Sequence, residues 1–247
     1  MVVRDACPGC GSPQFKKNGH IHSGKQNHQC KTCGRQFVVS AEEHLISDAR
    51  RTLVEHLLRE RISLRGICRA VGVSLTWLLH FMVERFAACP EHLHVQLPVS
   101  PTDVVIRQLE AEADEMWSFV RQKANKQWIW IAMDTRTRQV IAFHVGDRSR
   151  ESAKQLGATI PVMYREQATF HTDQYDAYTG VIPAEQHKAI TKHARKTNHL
   201  ERFNNTLRQR LSRLVRETLS FSKKLTHHIG AIKYFICHYN QEVVRLV

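Results

Sequence analysis

The chain has 247 residues, enough for one ordinary domain and one or two small ones, and its 36 lysines and arginines against 23 acids leave a formal net charge of +13. Such an excess points to a polyanionic partner, nucleic acid above all. No apolar run is long enough to span a membrane, and the opening "MVVRDACPGC" lacks the apolar core of a leader, so the expectation is a cytoplasmic protein with no membrane partner.

The charge is unevenly spread. Residues 1–88 hold 13 basic against 7 acidic side chains, residues 89–193 hold 12 against 13, and residues 194–247 hold 11 against 3. Two basic ends therefore flank a near-neutral middle, which reads as a folded body rather than a DNA-coating surface.

In chain order, the first segment is rich in glycine, cysteine and histidine. Cys7-Pro-Gly-Cys10 and Cys30-Lys-Thr-Cys33 are two CxxC pairs 19 residues apart. Each pair can close a tight turn with both thiolates aimed at one ion, and glycines 9, 11 and 34 allow the bends. Cys7, Cys10, Cys30 and Cys33 are expected to hold one structural Zn²⁺, because four sulfurs leave no open position for chemistry. In a chain with no leader signal, disulfides are the weaker reading. His20, His22 and His28 between the pairs are expected to face phosphate or solvent. Residues 1–40 are thus a zinc ribbon.

Residues 41–88 read as three helices. Leu53, Val54, Leu57 and Leu58 mark the first. Ser63 can cap the second, which carries Leu64, Ile67, Cys68 and Val71 on one side. Gly72-Val73-Ser74 makes a turn and a new cap before Leu75, Leu78, Leu79, Met82 and Phe86. A small residue four positions before the turn glycine suits the close crossing of a helix-turn-helix. Its second helix would present Ser74, Thr76, Trp77 and His80 to the major groove. The plainer alternative is a three-helix bundle with Trp77 covering its surface. Residues 89–103 hold three prolines and no periodicity, and read as a linker.

From 104 to 247 the pattern is that of one α/β domain. Strands are expected at 114–121, 127–133, 139–145, 168–173 and 187–192, with a helix over 149–160. The basic stretch from Leu200 to Leu214 and the segment 222–243 are expected as helices. Three antiparallel strands, then helix, strand, helix, strand and helix, is a ribonuclease H-like order. In such a sheet the first and fourth strands are neighbours. Asp114 on the first, Asp173 ending the fourth and Glu201 on the following helix could then meet, and oxygen ligands in that number suit Mg²⁺ or Mn²⁺. Arg202, Asn205 and Arg208 beside Glu201 would hold DNA running past it. By residue type alone, Glu201 could equally be an ordinary helix N-terminal acid paired with Arg202 or Arg208. Glu112 shares the face of Asp114 and is the fallback ligand; strand alternation sets Glu115 on the opposite face. Asp134 reads as a turn acid, and Trp117, Trp128 and Trp130 as sheet core.

The stretches "DEMWSFV", "TDQYDAY" and "HLERFNNTLRQRLSRLVRETLSFSKK" closely resemble the transposases of the insertion sequence one family, and the CxxC pairs and helix-turn-helix extend the resemblance over nearly the whole chain. The resemblance implies a DDE transposase whose triad is Asp114, Asp173 and Glu201. Such enzymes cut at the inverted repeats ending their element and join the freed 3′-hydroxyls to target DNA with a divalent metal. Its 27-residue second interval is slightly longer than the family's usual spacing. Double-stranded DNA and at least one further copy of the chain are the expected partners, since two ends must be brought together. The alternatives are a DNA-binding repressor without catalysis, or another ribonuclease H-like nuclease such as a resolvase.

Overall fold

The computed structural model describes residues 2–3, 5–41, 46–97, 109–189, 198–215 and 220–245. Two compact units emerge, Met1–Asp48 and Ala49–Val247.

The smaller unit is built on three short antiparallel strands, β1 (Phe15–His20), β2 (Gln26–Cys30) and β3 (Gln36–Val38), in that order across the sheet. Val2–Val3 pairs with Ser40–Ala41. Its buried apolar residues are few: Cys7, Cys30 and Phe37, with Phe15 and Val39 packed beside them. His28 joins this small core, its ring 5.4 Å from Phe15 and edge-on to it, rather than facing outward as expected. His20 and His22 are exposed.

The larger unit opens with α1 (Asp48–Leu57), α2 (Leu64–Val71) and α3 (Leu75–Ala87). The caps are those the sequence foretold. Ser63 Oγ accepts from the Gly66 N–H at 3.1 Å, and Ser74 Oγ accepts from the Trp77 N–H at 3.2 Å. Gly72 closes α2 at φ 71°, a left-handed conformation that suits glycine best. The turn bends α2 and α3 through 112°, within the range of helix-turn-helix pairs.

These helices share their unit with a five-stranded sheet. Its strands are β4 (Glu110–Phe119), β5 (Lys126–Asp134), β6 (Val140–Gly146), β7 (Thr169–Thr172) and β8 (His187–Ala189). The order is β8-β7-β4-β5-β6. β4, β5 and β6 are antiparallel, whereas β7 runs parallel to β4 and β8 parallel to β7. α4 (Arg150–Thr159) and α5 (Val162–Gln167) join β6 to β7; α6 (Asn198–Arg210) and α7 (Leu225–Val244) follow β8. This mixed α/β arrangement is compatible with a ribonuclease H-like fold. Residues 190–192 of the expected fifth strand lie outside the described residues.

Side-chain alternation along β4 divides the core in two. Met116 packs with Ile129, Ile131, Leu200, Phe203 and Phe235 under α6 and α7. Ala111 and Ala113 pack with Trp130, Ala132, Leu156 and Tyr164 under α4 and α5. The three-helix portion is joined to this body by α3 against α7, where Phe86 sits so close to Gly230 that a Cβ there would lie 2.6 Å from its ring. Of the expected linker, Leu93 is buried in the core and its carbonyl accepts from Asn240 Nδ2 at 2.8 Å; residues 98–103 lie outside the described residues.

Candidate functional site

Two clusters of metal-binding side chains stand among the described residues. The first joins Cys7, Cys10, Cys30 and Cys33, with the sulfurs of Cys7 and Cys33, and of Cys10 and Cys30, each 3.6 Å apart. Tetrahedral zinc with ligands at about 2.3 Å places its sulfurs about 3.8 Å from one another, so the spacing fits. The two turns are alike. The Gly9 N–H points at Cys7 Sγ and the Thr32 N–H at Cys30 Sγ, both at 3.4 Å. Gly11 and Gly34 follow with φ of 70° and 74°. The backbone N–H of Cys33, aided by that of Thr32, pulls the Cys30 thiol down to about 6, toward the thiolate a metal requires.

The second cluster is acidic, and the sheet register makes it. Residues 110–113 of β4 pair with 169–172 of β7, so Asp114 and Asp173 fall at the next step, where β7 stops. The carboxylates of Asp114, Asp173 and Glu115 lie within 4.8 Å of one another. Glu115 belongs to the opposite face of β4, as alternation requires, and the sequence reading set it aside for that reason. The pairing of β4 with β7 ends at Ala113, and just beyond it the Glu115 carboxylate comes within reach of both aspartates. There Glu115 also accepts from Arg148 (Nε 3.0 Å, Nη2 2.7 Å) and from the Tyr178 hydroxyl at 3.2 Å.

Helix α6 is fastened to the same strand at two points one turn apart. The Leu200 N–H donates to Glu112 Oε2 at 2.8 Å, and Asn204 Nδ2 donates to Asp114 Oδ2 at 3.0 Å. Glu112 is fully buried and anchors α6 through Oε2, while its Oε1 has no hydrogen-bond partner among the described residues. Glu201, on the first turn of α6, is exposed and stands outside the group of three. Its charge still reaches the cluster. Asp114 is pushed up to about 7, by burial first and then by the charges of Glu115, Asp173 and Glu201. Glu112 is pushed to about 7 by burial, with Glu201 adding to the rise. Carboxyl groups so crowded favour either a shared proton or a cation among them.

The remaining expected residues divide. Thr76 and His80 are exposed on α3; Ser74 spends its hydroxyl on the cap, and Trp77 stacks on Phe81 at 4.8 Å. On α6, Arg202 and Asn205 are exposed, and Arg208 lies beside Trp117 and Arg213. Two later arginines of this basic stretch are engaged within the protein. Arg210 pairs with Glu60 and Glu242, and the half-buried Arg213 donates to the His227 carbonyl and to Met82 Sδ. Asp134 is a turn acid, accepting from two backbone N–H groups and from the Tyr164 hydroxyl. Of the three sheet tryptophans Trp130 is fully buried and Trp128 packs against the same core, whereas Trp117 is 36% exposed. Asn204, Glu115 and Arg148 are the site residues that sequence reasoning missed. Asn204 had a signal, its place one turn after Glu201 in a helix already suspected; Arg148 had none.

A mixed sheet with acids midway along one strand and just past the end of its parallel neighbour, and a basic helix laid against them, is the architecture of a nucleic-acid-processing enzyme. Residues 107–241 match the model of the IS1 transposase family, and the chain belongs to that family. It is 36% identical over 131 residues to the insertion element iso-IS1n protein InsB of Shigella dysenteriae, spanning 52% of this chain and 94% of that protein. With the insertion element IS1 protein InsB of Shigella flexneri it shares 34% over 126 residues, 51% of this chain and 92% of the other. The insertion element IS1 4 protein InsB of Escherichia coli K12 is 33% identical over 126 residues, 51% and 72% of the two chains. A chain in the cryoEM structure of the simian T-cell lymphotropic virus intasome with PP2A regulatory subunit B56 gamma aligns over 72% of this chain and 74% of its own at 13% identity. Its TM-score of 0.32 is too low to define a shared fold. The chain is thus a transposase of an insertion sequence, a protein of DNA recombination.

Proposed function

We propose that this transposase binds the terminal inverted repeats of its element, cuts the DNA there and joins the freed 3′-hydroxyls to target DNA at the acidic cluster. The observation that carries the proposal is the meeting of Asp114, midway along β4, with Asp173, just past the end of the parallel β7, and with Glu201 on the helix bonded to Asp114 through Asn204. The donor set fits a hard divalent cation such as Mg²⁺ or Mn²⁺: oxygen only, crowded, and with Asp114 raised by its acidic neighbours. Such an ion, when bound, supplies activation of the attacking oxygen and stabilisation of the leaving one. Asp114, Asp173 and Glu201 would hold it. Asn204 fixes the orientation of the Asp114 carboxylate, and Glu112 fixes the first turn of α6 from which Glu201 projects. Arg202, Asn205 and Arg208 would grip the DNA backbone along α6.

A second reading concerns the third ligand alone. Glu115 is already within 4.8 Å of both aspartates, whereas Glu201 would have to turn inward from an exposed position. Against Glu115 stands its ion pair with Arg148, which already satisfies its charge.

The same reading assigns Zn²⁺ to the four cysteines and base contacts to Ser74, Thr76, Trp77 and His80. Because two ends must be joined, the working form is at least a dimer. A strand-transfer assay on duplexes carrying the element's own termini, with and without Mg²⁺, tests the whole. Metal-dependent joining of those termini over unrelated ends is the expected result. Specific binding without cleavage would reduce the protein to a repressor, and cleavage indifferent to the terminal sequence would make it a general nuclease.

A further inference from the structure

The sheet face covered by α4 and α5 loses its cover toward the far end of β4. Ala111 and Ala113 are buried beneath the helices, and Glu115 beneath Arg148 and Tyr178. The next residue on that face, Trp117, is 36% exposed. Directly across from it on β5 is Trp128, whose ring carries the Arg148 guanidinium at 4.6 Å. Tyr175 closes on the same guanidinium at 4.2 Å and donates its hydroxyl to the Arg148 carbonyl at 2.6 Å. The Tyr175 N–H in turn donates to Asp173 Oδ1 at 3.1 Å. Contacts thus run from the acidic cluster through Tyr175 and Arg148 to Trp128, and the exposed Trp117 is the cross-strand neighbour of Trp128.

Arg148 is set unlike an ordinary surface arginine. Two aromatic rings and a buried carboxylate hold its plane, yet 43% of its side chain remains exposed while Glu115 is 2% exposed. A planar cation held in advance loses little freedom on taking up a phosphate. An exposed indole beside it offers what an unpaired base requires, a flat apolar surface tolerant of any sequence. Enzymes that act on a nucleotide within a duplex can take a base out of its stack, and a base so displaced needs a flat surface to rest on.

We propose that Trp117 and Arg148 form a nucleotide subsite beside the acidic cluster, Arg148 holding a phosphate next to the scissile one and Trp117 stacking an unpaired base. This rests on the acidic cluster being the site of strand cleavage. Arg148 has a second duty, neutralising Glu115, so the decisive test is made on Trp117.

The full-length protein, Trp117→Ala and Trp117→Phe are each given two duplexes bearing the element's terminus, one intact and one abasic at the nucleotide flanking the cleaved phosphate, tried on either side of it. Joining rates are measured in Mg²⁺, with melting curves to confirm folding. On the intact duplex Trp117→Ala should lose roughly ten- to a hundredfold in rate, the size expected of one stacked base, and Trp117→Phe should retain most of it. The wild type should lose a similar factor on the abasic duplex at one of the two positions, and Trp117→Ala should lose nothing more there. Losses that multiply, or a wild type indifferent to both abasic positions, would overturn the subsite while leaving the cleavage site standing. A wild type that joins neither duplex, like an Asp114→Asn control, would remove the cleavage site and the subsite together.

Discussion

The cysteine cluster and the carboxylate cluster solve one problem, gathering like groups that repel one another, in opposite ways. The four cysteines come from two short turns of one small unit, and each turn builds its half from its own backbone N–H groups and glycines. The acids come from two strands and stand near a helix, brought together by sheet register and by two hydrogen bonds to α6. The first cluster offers four sulfurs within 4.8 Å of one another, a donor set that would leave a zinc ion no open position. The second is open on the side where Glu201 and the exposed α6 residues stand, and an opening is what a substrate phosphate needs. A local device suits a fixed structural ion, and a tertiary one suits chemistry.

The largest effect should follow from breaking the local cluster. Cys30→Ser, or a strong chelator, should abolish stoichiometric zinc and unfold the segment before residue 48, because its core among the described residues, Cys7, Cys30 and Phe37, is too small to hold it. Metal analysis with circular dichroism reads both losses; a variant that keeps its zinc would show that Cys30 is not a ligand.

Breaking the tertiary cluster should leave the fold intact and remove function. Asp114→Asn and Asp173→Asn should each lower joining by on the order of a thousandfold or more, and the double variant should add little, since both act in one site. Comparing Glu201→Gln with Glu115→Gln decides the third ligand. A collapse of joining in Glu201→Gln, with smaller loss in Glu115→Gln, is expected. The reverse order would move the site to the opposite face of β4.

Acid should separate the two clusters. His228 is fully buried between Ser118 and Ser222, with its ring nitrogens 2.8 and 3.3 Å from their hydroxyls. Burial, helped by the charge of Arg213, pushes it down to about 4. A base with a depressed folded value stabilises fully above its unfolded value of about 6.5. That contribution is lost as pH falls from about 6.5 toward 4, up to about 3 kcal/mol. Unfolding of the larger unit should therefore ease through this window. In His228→Gln the dependence should flatten, and an unchanged slope would assign it to other groups.

The smallest effect should come from end recognition. Thr76→Ala with His80→Ala should reduce discrimination between the element's termini and random DNA by roughly 1–3 kcal/mol for each base that is no longer read, with joining of bound ends unchanged. Footprints that stay as sharp as the wild type's would make α3 a packing helix only.

The sequence by itself determined whatever depends on near neighbours. Two CxxC pairs flanked by glycine can form their turns wherever the chain lies, and Ser63, Gly72 and Ser74 mark the ends of α2 and α3 because capping is settled within four residues. Period-two and period-3.6 patterns located the strands and helices within a few residues, as with β5 and α6. Asp114 and Asp173 could be brought together on paper only by assuming the sheet order that β4 and β7 in fact adopt. Alternation also correctly set Glu115 on the other face, yet could not reveal that β7 stops at Thr172 and that Glu115, covered by Arg148 and Tyr178, comes within 4.8 Å of both aspartates. Nor could a basic helix read residue by residue show that Arg210 and Arg213 turn inward to Glu60, Glu242 and Met82 while Arg202 stays outside. Side chains on one helix share a sequence pattern, but what each meets is set by elements far away in the chain. Only the packed tertiary structure decides whether an arginine there finds a carboxylate, a sulfur or open solvent.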